Sequence, residues 1–388
     1  MNIRSCTVGV TAASIIFAAA LLGTNHNWPS TSVNAGALLD PVQTTIIADG
    51  LHNPRGLNFG PDGGLYVAEA GTGGPGPCAD GPEGWRCYGP SGSISRIDLR
   101  DGTVTRVVTG LISLADGDGN FATGIHDISY NGLGNGYATI GWAGDPAGRT
   151  VQFGQPGADL ARIARINASG KWEMETDLGS FEAIENPNGD EIDTNPYGVL
   201  SLPGRHIIAD AGANDLLEIN ANGSISVLGT FPNRSVTAPE ILGFPSGTTL
   251  PADAVPTSVA MGPDGDLYIG QLVGFPFPVD EANVYRVPAS GGTPVVAAGG
   301  FTAVVDVTFG PDGSMYVLEM ATNGLLAGFI FNDWTGALFR IKPDGTRTEI
   351  APGALTAPGG IAVGKDGTVY VTNNSTSGNS GAVLIIRP

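Results

Sequence analysis

"FGPDGGLYV" at residues 59–67 returns as "MGPDGDLYI" at 261–269, "FGPDGSMYV" at 309–317 and "VGKDGTVYV" at 363–371. Each copy places an alternating apolar strand on either side of a Gly/Asp/Gly turn, where glycine supplies positive φ and aspartate bonds back to the backbone. The phrase therefore predicts a β-hairpin. A second hairpin follows each of three copies, as "SGSISRIDLRDGTVTRVVTG" (91–110), "ANVYRVPASGGTPVVAAGG" (282–300) and "GALFRIKPDGTRTEIAPG" (336–353). One unit is thus four antiparallel strands. Two degenerate units run in phase with these, "GIHDISYNGLGNGYATIG" with "LARIARINASGKWEMETDL", and "NPYGVLSLPGRHIIADAG" with "DLLEINANGSISVLGTF".

The unit starts at Arg55, His126, Tyr197, Thr257, Val305 and Gly359 stand 71, 71, 60, 48 and 54 residues apart, with the excess falling in loops. Six four-stranded units at this spacing predict an all-β fold, a six-bladed β-propeller. The sixth unit stops after three strands, while "TTIIADGLHNPRGL" (44–57) matches "TEIAPGALTAPGGI" (348–361). The N-terminal strand is therefore expected to complete the last blade and close the ring, which a linear solenoid or a pair of sandwiches would not require.

Composition agrees. With 60 Gly, 28 Pro and 14% charged residues among 388, the chain has many turns between short apolar runs. A net charge of -19 opposes nucleic-acid binding and attraction to anionic membranes, because both need a basic surface. At the N-terminus, Arg4 precedes a mostly apolar stretch from Cys6 to Leu22 and small-residue sites at Val33-Asn34-Ala35 and Ala35-Gly36-Ala37. This reads as a signal peptide over residues 1–37, followed by one propeller domain over 38–388; an uncleaved anchor helix is the alternative. The expected location is secreted or periplasmic, with no membrane span after cleavage.

Removal of Cys6 would leave the even pair Cys78 and Cys87 within "GPGPCADGPEGWRCYGP". Their spacing is not that of a zinc or redox CxxC motif, so a structural disulfide is expected, stabilising by about 2.5–3 kcal/mol on a chain-entropy model.

"NPRGLNFGPDGGLYVAEAGTGGPGPC", "ATGIHDIS", "NPYGV", "IADAGANDLLEI", "VPTSVAMGPDGDLYIGQLVGFPFP" and "YVLEMATNGLLAG" together resemble the ScyD/ScyE family of scytonemin-cluster proteins. The resemblance runs over essentially the whole mature chain. It implies an exported six-bladed propeller, related in style to NHL and SMP-30-like propellers and accessory to extracytoplasmic secondary metabolism. It supplies no catalytic residues. At the P-x-G positions where SMP-30-like lactonases carry Asn and Asp for a divalent cation, this chain has mostly Arg, Tyr, Thr, Val and Gly, which counts against a lactonase.

The turns lie on one side of the expected disc and the long variable connections on the other, where binding usually resides. There Arg55, His126 and Tyr197 are candidates to orient an anionic or phenolic ligand, with His126 as a candidate base. Phe275 and Phe277 in "GFPFP" and Trp334 in "GFIFNDW" are candidate aromatic contacts, the alternative being that these rings plug the loops. Asp127 and Asp306 stand in the next column. Glu69, Asp210, Gln271, Glu319 and Asn373 end the second strands; Glu69, Asp210, Glu319 and Asn373 are candidate ligands for Ca²⁺, the one cofactor left open, or else caps on backbone N–H groups. No G-x-S-x-G, HExxH, P-loop or Rossmann motif occurs in a suitable context. The expectation is a monomer that binds a small molecule or a protein partner, with a metal-assisted hydrolase or lactonase as the alternative.

Overall fold

The repeated phrase folds the same way each time, for reasons visible in its residues. In a computed structural model that describes residues 43–81 and 84–387, Gly63, Gly265, Gly313 and Gly367 all take φ between 76° and 85°. The Asp62, Asp264, Asp312 and Asp366 carboxylates each accept the backbone N–H two residues on. The first glycine of the phrase makes room for its tyrosine, since a Cβ on Gly60 or Gly262 would lie 2.2 or 2.3 Å from the ring of Tyr66 or Tyr268.

Six blades of four antiparallel strands make a propeller, the sheet of blade 1 carrying the short strand Cys78–Gly81 as a fifth. The innermost strands are Pro54–Phe59, Ile125–Tyr130, Pro196–Leu202, Pro256–Met261, Val304–Phe309 and Gly360–Val363, which define blades 1 to 6 and contact one another in sequence around the axis. The outermost strand of blade 6 is Gln43–Leu51, pairing antiparallel with Gly381–Arg387 from Gln43↔Arg387 to Leu51↔Gly381. The ring closes as the matching ends of the chain predict. The signal peptide expected over residues 1–37 lies outside the described residues.

An apolar cluster fills each junction between neighbouring blades. Strand alternation feeds two of them at once: in Gly381–Arg387, Leu384 and Ile386 face blade 5 while Val383 and Ile385 face blade 1. Directional bonds cross the same junctions. Arg55 donates to the Ala122 carbonyl (2.8 Å), the Val199 N–H donates to Asp127 (2.9 Å), and the Val255 N–H donates to Asn214 (2.8 Å). Thr257 donates to the Val304 carbonyl (2.8 Å), the Ile361 N–H donates to Asp306 (2.8 Å), and Thr372 donates to the Arg55 carbonyl (2.8 Å).

The turn-free side of the disc is more structured than a set of loops. Short helices Gly148–Phe153, Leu178–Glu185 and Leu325–Phe331 occupy three of its connections, and a hairpin of Arg234–Thr237 with Thr249–Ala252 lies between blades 3 and 4. Cys78 and Cys87 are disulfide-bonded across a second hairpin, Cys78–Gly81 with Gly84 onward, so the Gly/Pro-rich connection is ordered by strand pairing as well as by the bridge. Among the described residues no helix is long and apolar enough to cross a membrane.

Deleting residues 43–51 removes one whole strand and bares the edge of Gly381–Arg387. The truncated protein is expected to unfold at lower denaturant concentration and to self-associate, read by chemical denaturation and light scattering. A truncated chain as stable and as monomeric as the parent would contradict closure by this ladder.

Candidate functional site

At the loop end of the innermost strands, blades 1, 2 and 3 bring Arg55, His126 and Tyr197 together. His126 is 3% exposed and its ring lies 4.5 Å from that of Tyr197, tilted by 35°. One edge of the imidazole rests on Gly141, where a Cβ would come within 2.1 Å of Cε1. Nδ1 has no hydrogen-bond partner, and the Pro196 carbonyl bonds the ring from the other side, which assigns the proton to Nε2. Burial, then the charge of Arg55, pushes the imidazole pKa down to about 3, so the ring is neutral at ordinary pH.

Arg55 is the unusual member. It is 9% exposed, it donates to the Ala122 carbonyl, and its Nε has no partner. Among the described residues no carboxylate lies within ion-pair distance of it, although thirteen such pairs occur elsewhere. A guanidinium keeps its charge when buried. The site therefore holds an uncompensated positive charge beside two aromatic rings.

Below this group, Asp127 and Asp306 each accept two backbone N–H groups, from Ile128 and Val199 and from Val307 and Ile361. Gly56 makes room for Asp127, since a Cβ there would fall 2.0 Å from Oδ1. Burial raises both carboxyls, Asp127 to about 7, and Asp306 is raised further by Asp127. Their bonds across blade junctions give them a structural task.

The residues that end the second strands are not gathered. Glu69 accepts from the His52 N–H, Asp210 from Asn195, Glu319 from Thr302 and Asn373 from Thr356, in each case a backbone group just ahead of the innermost strand of the same blade. In blades 1, 3, 5 and 6 one such residue caps one loop of its own blade. Gln271, the blade 4 member, accepts instead from Asn283. Glu69 also meets Arg106 at 2.9 Å. Among the described residues no three His, Cys, Asp or Glu side chains converge to hold a metal.

The aromatic candidates divide. Trp334 is 8% exposed and packs on Gly328, within the core shared by blades 5 and 6. Phe275 and Phe277 are half-buried, 6.0 Å apart edge to face, on a connection with a cis Phe275–Pro276 bond. A residue that sequence reasoning passed over completes the group: Phe121, on the connection into blade 2, lies 5.9 Å from Trp334 and 6.2 Å from Phe329 of blade 5. Its φ of 48° is unusual for an aromatic residue, and its N–H donates to the Thr376 carbonyl. The flanking "DGDGN" marks a sharp turn, but nothing local to it indicates contact with blade 5. A groove of about 730 Å³ lies elsewhere, between blades 2 and 3 on the turn side, where Tyr137 stacks on His206 with 3.8 Å between ring centroids.

No protein-family model matches the chain, and no curated protein matches it significantly. Solved structures do. A gluconolactonase from Xanthomonas campestris superposes with a TM-score of 0.51 at 9% identity, covering 89% of this chain and 90% of that one. A putative gluconolactonase gives 0.50 at 11% identity over 90% and 94%. A putative oxidoreductase (glucose dehydrogenase) from Thermus thermophilus gives 0.50 at 14% identity over 89% and 100%. These likenesses are of fold: the neighbours are six-bladed propellers of the SMP-30/gluconolactonase and NHL type.

Because the folded pKa of His126 is depressed below that of the unfolded chain, its contribution to stability is present above about pH 6.5 and is lost as pH falls toward 3. His126→Gln should therefore flatten the acid limb of a stability–pH curve. Imidazole NMR shifts of the parent should stay those of the neutral ring down to about pH 4. A ring that titrates near 6 would contradict the burial.

Proposed function

We propose that the chain is an exported, ScyD/ScyE-like propeller that binds a small anionic ligand on its loop-rich face at Arg55, His126 and Tyr197. One observation carries this reading: Arg55 is a buried cation with an unpartnered Nε and no carboxylate paired with it among the described residues. Leaving a buried charge unpaired is costly, and a ligand carboxylate, phenolate or enolate oxygen would compensate it. The flanking His126 and Tyr197 rings suit a flat body attached to that oxygen, and Phe277 packs with Phe121 against the neighbouring blade 5–6 core.

Two of the distinctive sequence words behind the family resemblance fall on this face. "GFPFP" forms the half-buried connection of Phe275 and Phe277, and "IADAGAND" forms the turn that begins at Asp210. Export is supported by the Cys78–Cys87 disulfide, which persists in oxidising compartments. The alternative, a Ca²⁺-assisted hydrolase or lactonase, draws on gluconolactonase neighbours whose likeness is one of fold, and the four second-strand residues Glu69, Asp210, Glu319 and Asn373 each serve a separate loop.

A calorimetric screen of aromatic carboxylates, phenols and lactones, run beside a turnover assay on the lactones, tests the reading. Arg55→Ala is expected to weaken a specific hit by about 1–3 kcal/mol, the range for a well-placed anchor, and Arg55→Lys to recover part of it. Asp312→Asn, on the turn side, should leave affinity unchanged. A hit indifferent to Arg55→Ala, or lactone turnover dependent on Glu319, would overturn the proposal.

A further inference from the structure

Every exposed Phe and Trp among the described residues lies on the loop-rich face: Trp85, Phe244, Phe329 and Phe331. Two of them share one short helix. Leu325–Phe331 buries Leu325, Leu326 and Gly328 and leaves Phe329 and Phe331 43% and 67% exposed. Its inner side is fixed by Gly328, where a Cβ would come within 2.7 Å of the Trp334 ring.

The exposed rings belong to an apolar surface that joins three connections. Phe329 meets Trp334 edge to face at 5.1 Å and Phe121, from the connection into blade 2, at 6.2 Å. At the other end of the helix, Val279 Cγ2 lies 3.4 Å and the Phe277 carbonyl 3.1 Å from where a Cβ on Gly324 would stand, and Phe275 continues the surface beside Phe277. Phe121, Phe277 and Asp280 hold φ of 48°, 54° and 60°, so their placement is set by the surrounding structure rather than by local preference. The border of this surface is acidic. Residues 116–124, 272–281 and 320–334 hold Asp116, Asp118, Asp280, Glu281 and Asp333 and no Lys, Arg or His. Of the five, Glu281 alone has an ion-pair partner among the described residues, Arg234 at 3.6 Å.

We propose that this surface docks a cationic polypeptide segment that carries apolar side chains between its Lys and Arg residues. An exposed apolar patch rimmed by polar groups marks an interaction surface, and the charge of the rim selects what binds. Apolar side chains of the partner would cover Phe329, Phe331 and Val279, while its basic ones met Asp118, Asp280 and Asp333. The same charge disfavours two other occupants: an anionic lipid surface is repelled, and so is a second copy of a chain with net charge -19 that presents an identical acidic border. Rings already held in place need little further ordering on binding. The proposal does not rest on the Arg55 reading and holds whether or not an anion binds there.

The test uses the full chain with a fluorescent amphipathic peptide of Lys, Leu and Phe, read by anisotropy, beside the same peptide with Glu in place of Lys. Saturable binding of the Lys peptide is expected, weakening as NaCl is raised, with none by the Glu peptide. Phe331→Ser, and Asp118→Asn combined with Asp280→Asn, should each weaken binding by about tenfold with Tm unchanged, because these side chains are exposed. Leu133→Ser and Asp101→Asn, exposed on the turn side, should bind as the parent does. A parent that ignores the Lys peptide, equal binding of the Glu peptide, or parental affinity in Phe331→Ser would overturn the proposal. Partition onto phosphatidylcholine vesicles, or self-association in light scattering, that is lost in Phe331→Ser would overturn it too, assigning the surface to a membrane or to a second copy.

Discussion

The ladder between Gln43–Leu51 and Gly381–Arg387 joins residues more than three hundred positions apart, and every angle in the disc depends on it. Without it blade 6 would have three strands, and the apolar cluster it shares with blade 1 would lose Ala48 and Leu51. A sheet face buries fully only when a neighbour covers it, so each blade is stable in the presence of the next, and the last needs the first. The central group inherits its geometry from this closure. Arg55 sits on blade 1 beside the closing junction, where its carbonyl accepts from Thr372 of blade 6 and its guanidinium reaches the connection into blade 2.

Charge is distributed unevenly over the loop face. At the loop end of the axis Arg55 is buried with no carboxylate in ion-pair distance, while Asp127 and Asp306 below it and the carboxyls Asp210 and Asp215 of blade 3 are buried with no cation in ion-pair distance among the described residues. Elsewhere the chain pairs its charges: Arg347 lies over Phe301 and Phe339 at 3.8 and 4.1 Å, near Glu319, and Arg149 meets Asp177 at 2.9 Å. The contrast is what singles out Arg55. A fold that pairs Arg149 and Arg106 with carboxylates leaves Arg55 without one and its Nε without a partner, and buried groups of that kind concentrate where something else binds.

The hairpins, the blade count and the closing strand were legible because each depends on local pattern: glycine where φ is positive, aspartate two residues before the N–H it accepts, and alternation along the strand. The disulfide was legible from cysteine parity. Less could be read of the site. That Arg55, His126 and Tyr197 share one end of the axis follows from their place in the repeat, but that Arg55 lacks an anion is a fact about other blades. Phe121 meets Trp334 across four blades, a contact no spacing encodes. The hairpin within residues 234–252 was hidden in a connection rich in Pro, Gly and Thr, and no motif or spacing sets the buried Glu182 and Asp215 apart from the exposed acids of the same loops.

The bonds that cross the blade junctions have a consequence for how the repeat can change. Apolar faces alone would let one sheet slide against the next, and one blade could stand in for another. Here a guanidinium, a pair of aspartates, an asparagine and two threonines each meet a particular backbone group in the neighbouring blade, the junctions after blades 2 and 5 sharing one chemistry, those after blades 4 and 6 another, and those after blades 1 and 3 standing apart. A duplicated or transplanted blade would bring the wrong donor to one seam and the wrong acceptor to the other. The chain is periodic in shape but aperiodic in its seams, so its blades have an order as well as a number.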